Sequence, residues 1–334
     1  VSLEKGVLFA VVLAALVLFV WERWRHDLVA VGARLLAFAA GLLVRRGTLR
    51  TACLHLAVVT AAVLGWAGGP DGGWRDVSGQ PLPFQDHETI RNVMRSARVV
   101  SREEVGRGVA GTERLVLEHE GTRVRAAFRA VDRRTAVETY AGSWRRTREV
   151  RDAAIFELAA YELSELLGIG RVPPVVERTV DGVDGTVQLW VEGAVAEVEL
   201  DEVRPPDVER WLQQKQVMRV FDSLIANPDR NRGNLLVDRE WTIWLIDHTR
   251  AFRETARLLY VDQITGCERT LWERLQSLDE RTLRQRLGPY LEAPELSTLV
   301  ARHRRLVRHL RVLIRTRGEA TVLFNLRPPA AAQS

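Results

Sequence analysis

The segment Val220–Phe252, VFDSLIANPDRNRGNLLVDREWTIWLIDHTRAF, constrains the fold more than any other stretch of the chain. An apolar, helix-compatible run closes at Ala226. Pro228 and Gly233 then impose irregular backbone, because proline fixes φ and removes a donor while glycine permits a tight turn. Two short β-type runs, Leu235–Val237 and Thr242–Ile246, flank the turn Asp238-Arg239-Glu240. The second run leads directly into Asp247-His248. A helix, a loop and a β-hairpin are therefore joined with almost no spare chain between them.

Three residues of this segment share a chemical theme: Asp229, Asn234 five residues later, and Asp247. Phosphoryl transfer requires one carboxylate to orient the attacking hydroxyl, plus an Asn and a second carboxylate to hold Mg²⁺ on the phosphates. The D-x-x-x-x-N spacing is that of the protein-kinase catalytic loop. A surface turn rich in Asn and Asp accounts for the loop. It does not account for Asp247, which follows a β-type run thirteen residues after Asn234. His248, beside Asp247, is placed to touch phosphate, and Asp222 reads as a brace for the loop.

Upstream, Gly106-Arg107-Gly108-Val109-Ala110-Gly111 is a G-x-G-x-x-G between the β-type runs Ala97–Glu103 and Arg114–His119. Gly106, Gly108 and Gly111 would let backbone N–H groups approach phosphates, although a plain turn uses glycine equally well. The motif does not open a helix after a buried strand, so the dinucleotide-binding reading fails. Arg129 lies in the next β-type run, Val124–Val131, where a kinase-like site places a lysine on the α/β-phosphates. Arginine keeps the charge but changes reach and donor geometry. Its partner would be Glu157 on an amphipathic helix over Asp152–Leu167, with Glu162 and Glu165 as alternatives. Gln188-Leu-Trp-Val-Glu-Gly193 reads either as an inter-lobe hinge, with Gln188, Trp190 and Val191 around an adenine, or as an ordinary strand ending at Gly193. Helices are expected from Asp86, from Pro206 to Ala226, and after Phe252 to about Arg317. A hairpin is expected over Val175–Thr179 and Gly185–Val191.

The first 68 residues differ from the rest. Val7–Trp21, Leu28–Val44 and Cys53–Trp66 are three apolar runs. Each is shorter than the roughly 20 residues of a comfortable membrane helix, but flanking residues extend them. Residues 7–66 therefore read as membrane-attached, and the polar alternative of soluble core helices fits less well. Residues 45–68 also have the basic, apolar and small-residue order of a signal peptide, which permits export. The basic loops Glu22–Asp27 and Arg45–Arg50 favour the cytoplasm. A single segment after Arg50 would then carry the remainder outward, where ATP is scarce, so the side of the membrane stays open.

Of 48 basic residues all but Lys5 and Lys215 are Arg, so no single Arg stands out by its type. No basic cluster with interleaved aromatics marks a nucleic-acid interface. The two cysteines, Cys53 and Cys267, form no C-x-x-C pair, which argues against zinc and redox motifs. The organisation expected is a hydrophobic N-terminal region over 1–68, a linker over 69–85, a β-rich nucleotide-binding lobe over 86–193, a helical catalytic lobe over 194–327, and a tail over 328–334.

FDSLIANPDRNRGN…WLIDHTRAF resembles the atypical kinases of the phosphatidylinositol 3-/4-kinase-like group, which includes HipA-type and secretory-pathway kinases. The phrases YEL-LLG-VPP, QLWVEGA, NxDRNxGN and LWxIDHTRAF are most similar to a bacterial branch of it. The likeness spans roughly Asp86–Phe324. It implies an α+β, two-lobed protein-kinase-like fold preceded by hydrophobic N-terminal helices. It also implies ATP and Mg²⁺ as cofactors and an unidentified hydroxyl-bearing acceptor. Asp229 would be catalytic, Asn234 and Asp247 metal ligands, and Arg129 and Glu157 the phosphate-anchoring pair. Asn231 for the usual His, and Arg129 for Lys, depart from the pattern. A pseudokinase that binds nucleotide without catalysis is the alternative, and transfer of AMP in place of phosphate is compatible with the same scaffold.

Overall fold

The computed structural model describes residues 73–105, 111–141, 144–200 and 203–327. The apolar runs within residues 7–66 and the signal-like segment 45–68 lie outside these. No described helix is long and apolar enough to cross a membrane.

The described chain opens with Leu82 buried beneath the first helix, α1 (His87–Ser96). Asp86 caps α1 by accepting from the Thr89 N–H, and Ile90, Val93 and Met94 form its buried stripe. That stripe lies on a five-stranded antiparallel sheet. Its strands are β1 (Arg98–Glu104), β2 (Glu113–His119), β3 (Thr122–Arg129), β6 (Val175–Val180) and β7 (Val183–Leu189). The spatial order is β1-β2-β3-β7-β6. Alternation puts Leu115, Leu117, Val124, Ala126 and Phe128 on one face, where they meet α1 and form the upper core. Gly185 allows β7 to pass close to β3, where an added Cβ would come 2.6 Å from the Phe128 ring.

Between β3 and the next helix the chain makes a long antiparallel hairpin, β4 (Asp132–Ala141) and β5 (Trp144–Ala153), which joins no other sheet. The expected helix therefore starts late. Asp152 is in β5, and α2 runs from Ile155 to Leu167, ended by Gly168 in the left-handed region. The periodicity of ELAAYEL located the helix, but the run Arg145-Arg-Thr-Arg-Glu-Val150 offers no apolar alternation by which to recognise a strand. Arg151 anchors the hairpin's base, pairing with Asp132 at 2.8 Å and with Glu292 and Glu295 at 3.2 and 3.4 Å.

The second core is helical. It gathers Phe156, Tyr161 and Leu163 of α2 with Val220, Phe221 and Leu224 of α3 (Val208–Ile225). It continues through α4 (Arg269–Ser277), α5 (Glu280–Leu287) and α6 (Ala293–Arg317). Strands β8 (Val195–Ala196), β9 (Leu235–Val237) and β10 (Ile243–Leu245) form a small sheet in the order β10-β9-β8. The strand β11 (Cys267–Glu268) pairs in parallel with β12 (Leu323–Phe324), after a short α7 (Glu319–Val322). Residues 252–268, where helix was expected, are mostly irregular, with one 3₁₀ turn at Val261–Gln263. Arg302 explains their order: its buried guanidinium donates to the carbonyls of Leu224, Arg253 and Thr255. Side-chain donors replace the helix ladder there.

Candidate active site

Asp229, Asn234 and Asp247 are placed by three structural devices. Helix α3 ends at Ala226, itself left-handed at φ +49°, and Asn227 folds back so that its N–H donates to the Asp222 carbonyl at 3.0 Å. The Asn227 side-chain oxygen then accepts from the Asp229 N–H at 3.1 Å. Asn231 accepts from the Gly233 N–H at 2.8 Å, and Asn234 donates through Nδ2 to the Asp229 carbonyl at 3.0 Å. The loop is thus knitted by its own amides, which is why Asn recurs in ANPDRNRGN.

Arg230 anchors that loop to the body. It grips Asp222 with Nε at 2.9 Å and Nη2 at 3.1 Å, and donates to the carbonyls of Asn234 and Ile246 at 2.6 and 2.8 Å. Asp222 is fully buried, so it braces the loop as the sequence suggested. Arg230 was missed as a functional residue because arginine is everywhere in this chain. The signal that could have found it is its position beside Asp229, eight residues from a buried-helix Asp.

Arg129 ends β3 and Glu157 opens α2; they pair at 3.4 Å, with Arg129 6% exposed and Glu157 0%. The other candidates are engaged elsewhere: Glu162 with Arg91 and Arg286, Glu165 with His87. Glu157 also accepts from the His248 N–H at 3.0 Å and lies 2.9 Å from His248 Nδ1. Burial alone would raise the Glu157 carboxyl, but Arg129 and His248 outweigh it and hold it at about 2. The far nitrogen of His248, Nε2, lies 3.0 Å from Arg230. His248 is fully buried, so the expectation that it touches phosphate is corrected. It connects two clamps instead: Arg129–Glu157 on one side and Arg230–Asp222 on the other.

Asp247 sits at φ +58°, a backbone conformation that strains a non-glycine residue and is enriched at functional sites. Its side chain forms one hydrogen bond, from Thr249 Oγ1 at 3.3 Å, and no ion pair. Burial raises its pKa; nearby Arg129 and His248 oppose the rise, and Glu157 and Asp229 add to it. Asp229 is more open. Arg250 bridges it, at 3.2 Å, to Asp152 at the hairpin base, also at 3.2 Å. Neither Arg250 nor Asp152 was singled out in the sequence. Phe252, buried and left-handed, packs its ring 5.5 Å from Phe156, next to Glu157.

Of the nucleotide-side residues, Gly106 and Gly108 lie outside the described residues. Gly111 has φ +56° in the connection between β1 and β2. Gln188 is buried at the end of β7, where its Oε1 meets Arg129 Nη1 at 3.5 Å. Trp190 begins the crossing out of the sheet, but its N–H donates to the Arg125 carbonyl at 2.9 Å, and Val191 is buried. Two buried donors here, Arg129 Nε and Gln188 Nε2, have no hydrogen-bond partner. Unpartnered buried donors are costly unless a ligand meets them.

These facts fit a nucleotide and a divalent ion. Asp247 is a desolvated carboxylate that forms no ion pair among the described residues, and Asn234 lies on the adjoining loop. Among the described residues no three His, Cys, Asp or Glu side chains form a metal cluster by themselves. Mg²⁺ at a phosphate site needs only one or two carboxylates, with phosphates and water completing its shell.

No protein-family model and no curated protein sequence matches this chain. Solved structures do match. Hydra Fam20 with sugar aligns at TM-score 0.54 and 16% identity, covering 71% of this chain and 92% of that one. The Golgi casein kinase aligns at 0.50 and 15%, covering 72% and 80%. Its form with Mn/ADP bound also gives 0.50 and 15%, covering 73% and 80%. At such identities the likeness shows the fold and nothing finer. The chain has an atypical protein-kinase-like fold.

Proposed function

We propose that the protein is an ATP- and Mg²⁺-dependent phosphotransferase acting on a hydroxyl-bearing acceptor. The observation that carries this reading is the continuous buried chain Arg129–Glu157–His248–Arg230–Asp222. It ties a cation at the end of β3 to the Asp229–Asn234 loop and to the backbone beside Asp247. The chain supports this reading because positioning catalysis would need a phosphate anchor, a metal-binding pair and a catalytic loop held in one frame.

In this reading Arg129 steadies the α/β-phosphates, and the unpartnered donors of Arg129 and Gln188 meet the nucleotide. Asn234 and Asp247 would hold Mg²⁺, which supplies charge neutralisation on the phosphates when bound. Asp229 accepts the proton of the acceptor hydroxyl as that oxygen bonds to the γ-phosphorus. The bond from γ-phosphorus to the bridging oxygen breaks, and ADP leaves. Arg250 holds the Asp229 carboxylate in place before the acceptor arrives. The membrane attachment expected of residues 7–66 belongs to the same proposal.

The test is transfer of labelled γ-phosphate from Mg-ATP to the protein itself or to components of a cell extract, read by mass spectrometry. Asp229→Ala and Asp247→Ala should each lower transfer by about 10²–10³-fold, the range for loss of a group that stabilises or orients the transferring centre. Activity that survives both changes would sink the proposal. The second reading, nucleotide binding without catalysis, is favoured by Arg129 in the place of lysine. It predicts nucleotide affinity that depends on Asp247 with no transfer from any acceptor.

A further inference from the structure

A cavity of about 280 Å³ lies at the far end of α2, between that helix, α3, β10 and the start of α4. It shares no lining residue with the site described above. One side of it is apolar, formed by Ile169, Val217, Met218, Ile243, Leu245 and Leu271, and polar surface of similar extent faces it.

The charged and amide side chains of the lining are occupied, with one exception. Gln214 donates to the Trp241 carbonyl at 2.8 Å and accepts from the Ile243 N–H at 2.9 Å. Glu268 caps α4 by accepting from the Leu271 N–H at 2.7 Å. The exception is Arg171, whose guanidinium makes no hydrogen bond or ion pair among the described residues, although its carbonyl is fixed by the Leu245 N–H at 2.8 Å. No carboxylate among the described residues pairs with it: Glu268, in the same lining, is turned to the N-terminus of α4. Asp238, which acts on Arg171 electrostatically, already accepts from the N–H groups of Glu240 and Thr242 and from Trp244 Nε1. Neighbouring Arg210 is held by the carbonyls of Glu240, Trp241 and Arg327 and by Thr242 Oγ1. Burial brings the Arg171 pKa down to about 10, so the group is still charged at neutral pH.

The Arg171 guanidinium is a charged fork without a protein acceptor among the described residues, part-exposed at the cavity wall. Its complement is a single planar anion carrying an apolar body, since a guanidinium matches a carboxylate with two parallel hydrogen bonds. A phosphate dianion would find only one free cation. We propose that this cavity binds a small organic monocarboxylate, with the carboxylate on Arg171 and the apolar body among Ile169, Val217, Met218 and Leu271. The ligand would join the link that follows α2, which carries Glu157, to α3, which carries Asp222. Occupancy would therefore stiffen the two helices that carry Glu157 and Asp222 of the buried chain described above, whether or not the protein transfers phosphate.

The test is thermal unfolding of the full chain titrated with benzoate and with hexanoate, with inorganic phosphate in parallel. Saturable stabilisation by a carboxylate is expected for the parent and for Arg129→Gln. For Arg171→Met it should be at least about tenfold weaker, the loss expected for a charge-assisted pair. Should Arg171→Met fail to fold, Arg171→Gln gives the same reading. The proposal is overturned if neither carboxylate stabilises the parent, or if stabilisation is unchanged in the Arg171 variants. It is also overturned if stabilisation disappears in Arg129→Gln, which would place the anion at the nucleotide site. Stronger stabilisation by phosphate through Arg171 would overturn the carboxylate class.

Discussion

Glu157 is the residue through which most of the site's order passes. It is fully buried and faces two partners, Arg129 and His248, on different elements. Its depressed pKa makes a pH prediction with a definite sign. The folded value, about 2, lies below the ordinary 4.5, so the stabilisation is complete above pH 4.5 and is lost as pH falls towards 2. Acid unfolding should therefore be steep in that window for the parent and flatter for Glu157→Gln. At neutral pH the variant should lose about 3–5 kcal/mol in denaturant titration, because Arg129 stays buried without its counter-charge. Asp247 has the opposite sign. Burial raises its pKa, so ionisation opposes folding above the ordinary carboxylate value and the strain is relieved as pH falls. Asp247→Asn should consequently raise the melting temperature at pH 7, with the gain shrinking towards acid pH, while Mg-ATP no longer stabilises the variant. A melting temperature lower than the parent's would contradict the reading of Asp247 as a desolvated ligand.

At the level of elements, β3, β7 and α2 decide where the Arg129–Glu157 pair stands. Arg129 pairs in register with Thr186, next to Gly185, and the absent side chain of Gly185 leaves room for the Phe128 ring and the Arg129 carbonyl. Gly185→Ala should force β3 and β7 apart, with a stability loss of about 1–3 kcal/mol typical of overpacking. Nucleotide affinity should fall with it, measurable by calorimetry. Most of these elements were legible in the sequence. The loop Asp229–Asn234 announced itself through Pro228 and Gly233, and β9 and β10 through their alternation around Asp238. The β4–β5 hairpin was not legible. Its strands show no apolar alternation in sequence and pair only with each other. The helix α2 was consequently begun three residues early, and Asp152 was assigned to it. Residues 252–268 were read as helix because nothing in their local pattern shows that Arg302, far along the chain, takes over their carbonyls.

The whole molecule divides into Val1–Gly68 and Gly69–Ser334. The second unit contains both hydrophobic cores and every described site residue. A chain beginning at Gly69 should therefore unfold cooperatively and retain nucleotide binding, and it should no longer sediment with membranes. Loss of nucleotide binding on removing residues 1–68 would show that the first unit contributes to the site.

The sequence by itself determined the chemistry on offer. The Asp229, Asn234 and Asp247 set, its loop, and the order of strands and helices around it are local properties, set by turn residues and by hydrophobic period. Tertiary structure decided which of many equivalent residues serve that chemistry. With 46 of 48 basic residues being Arg, only packing could select Arg129, Arg230 and Arg250 as the guanidiniums that reach Glu157, Asp222 and Asp229. Likewise His248 was only the neighbour of Asp247 in sequence, and became a buried connector because Glu157, 91 residues away, meets it in the fold. Such long-range partners are set by which faces are buried together, and a chain read locally does not contain that information.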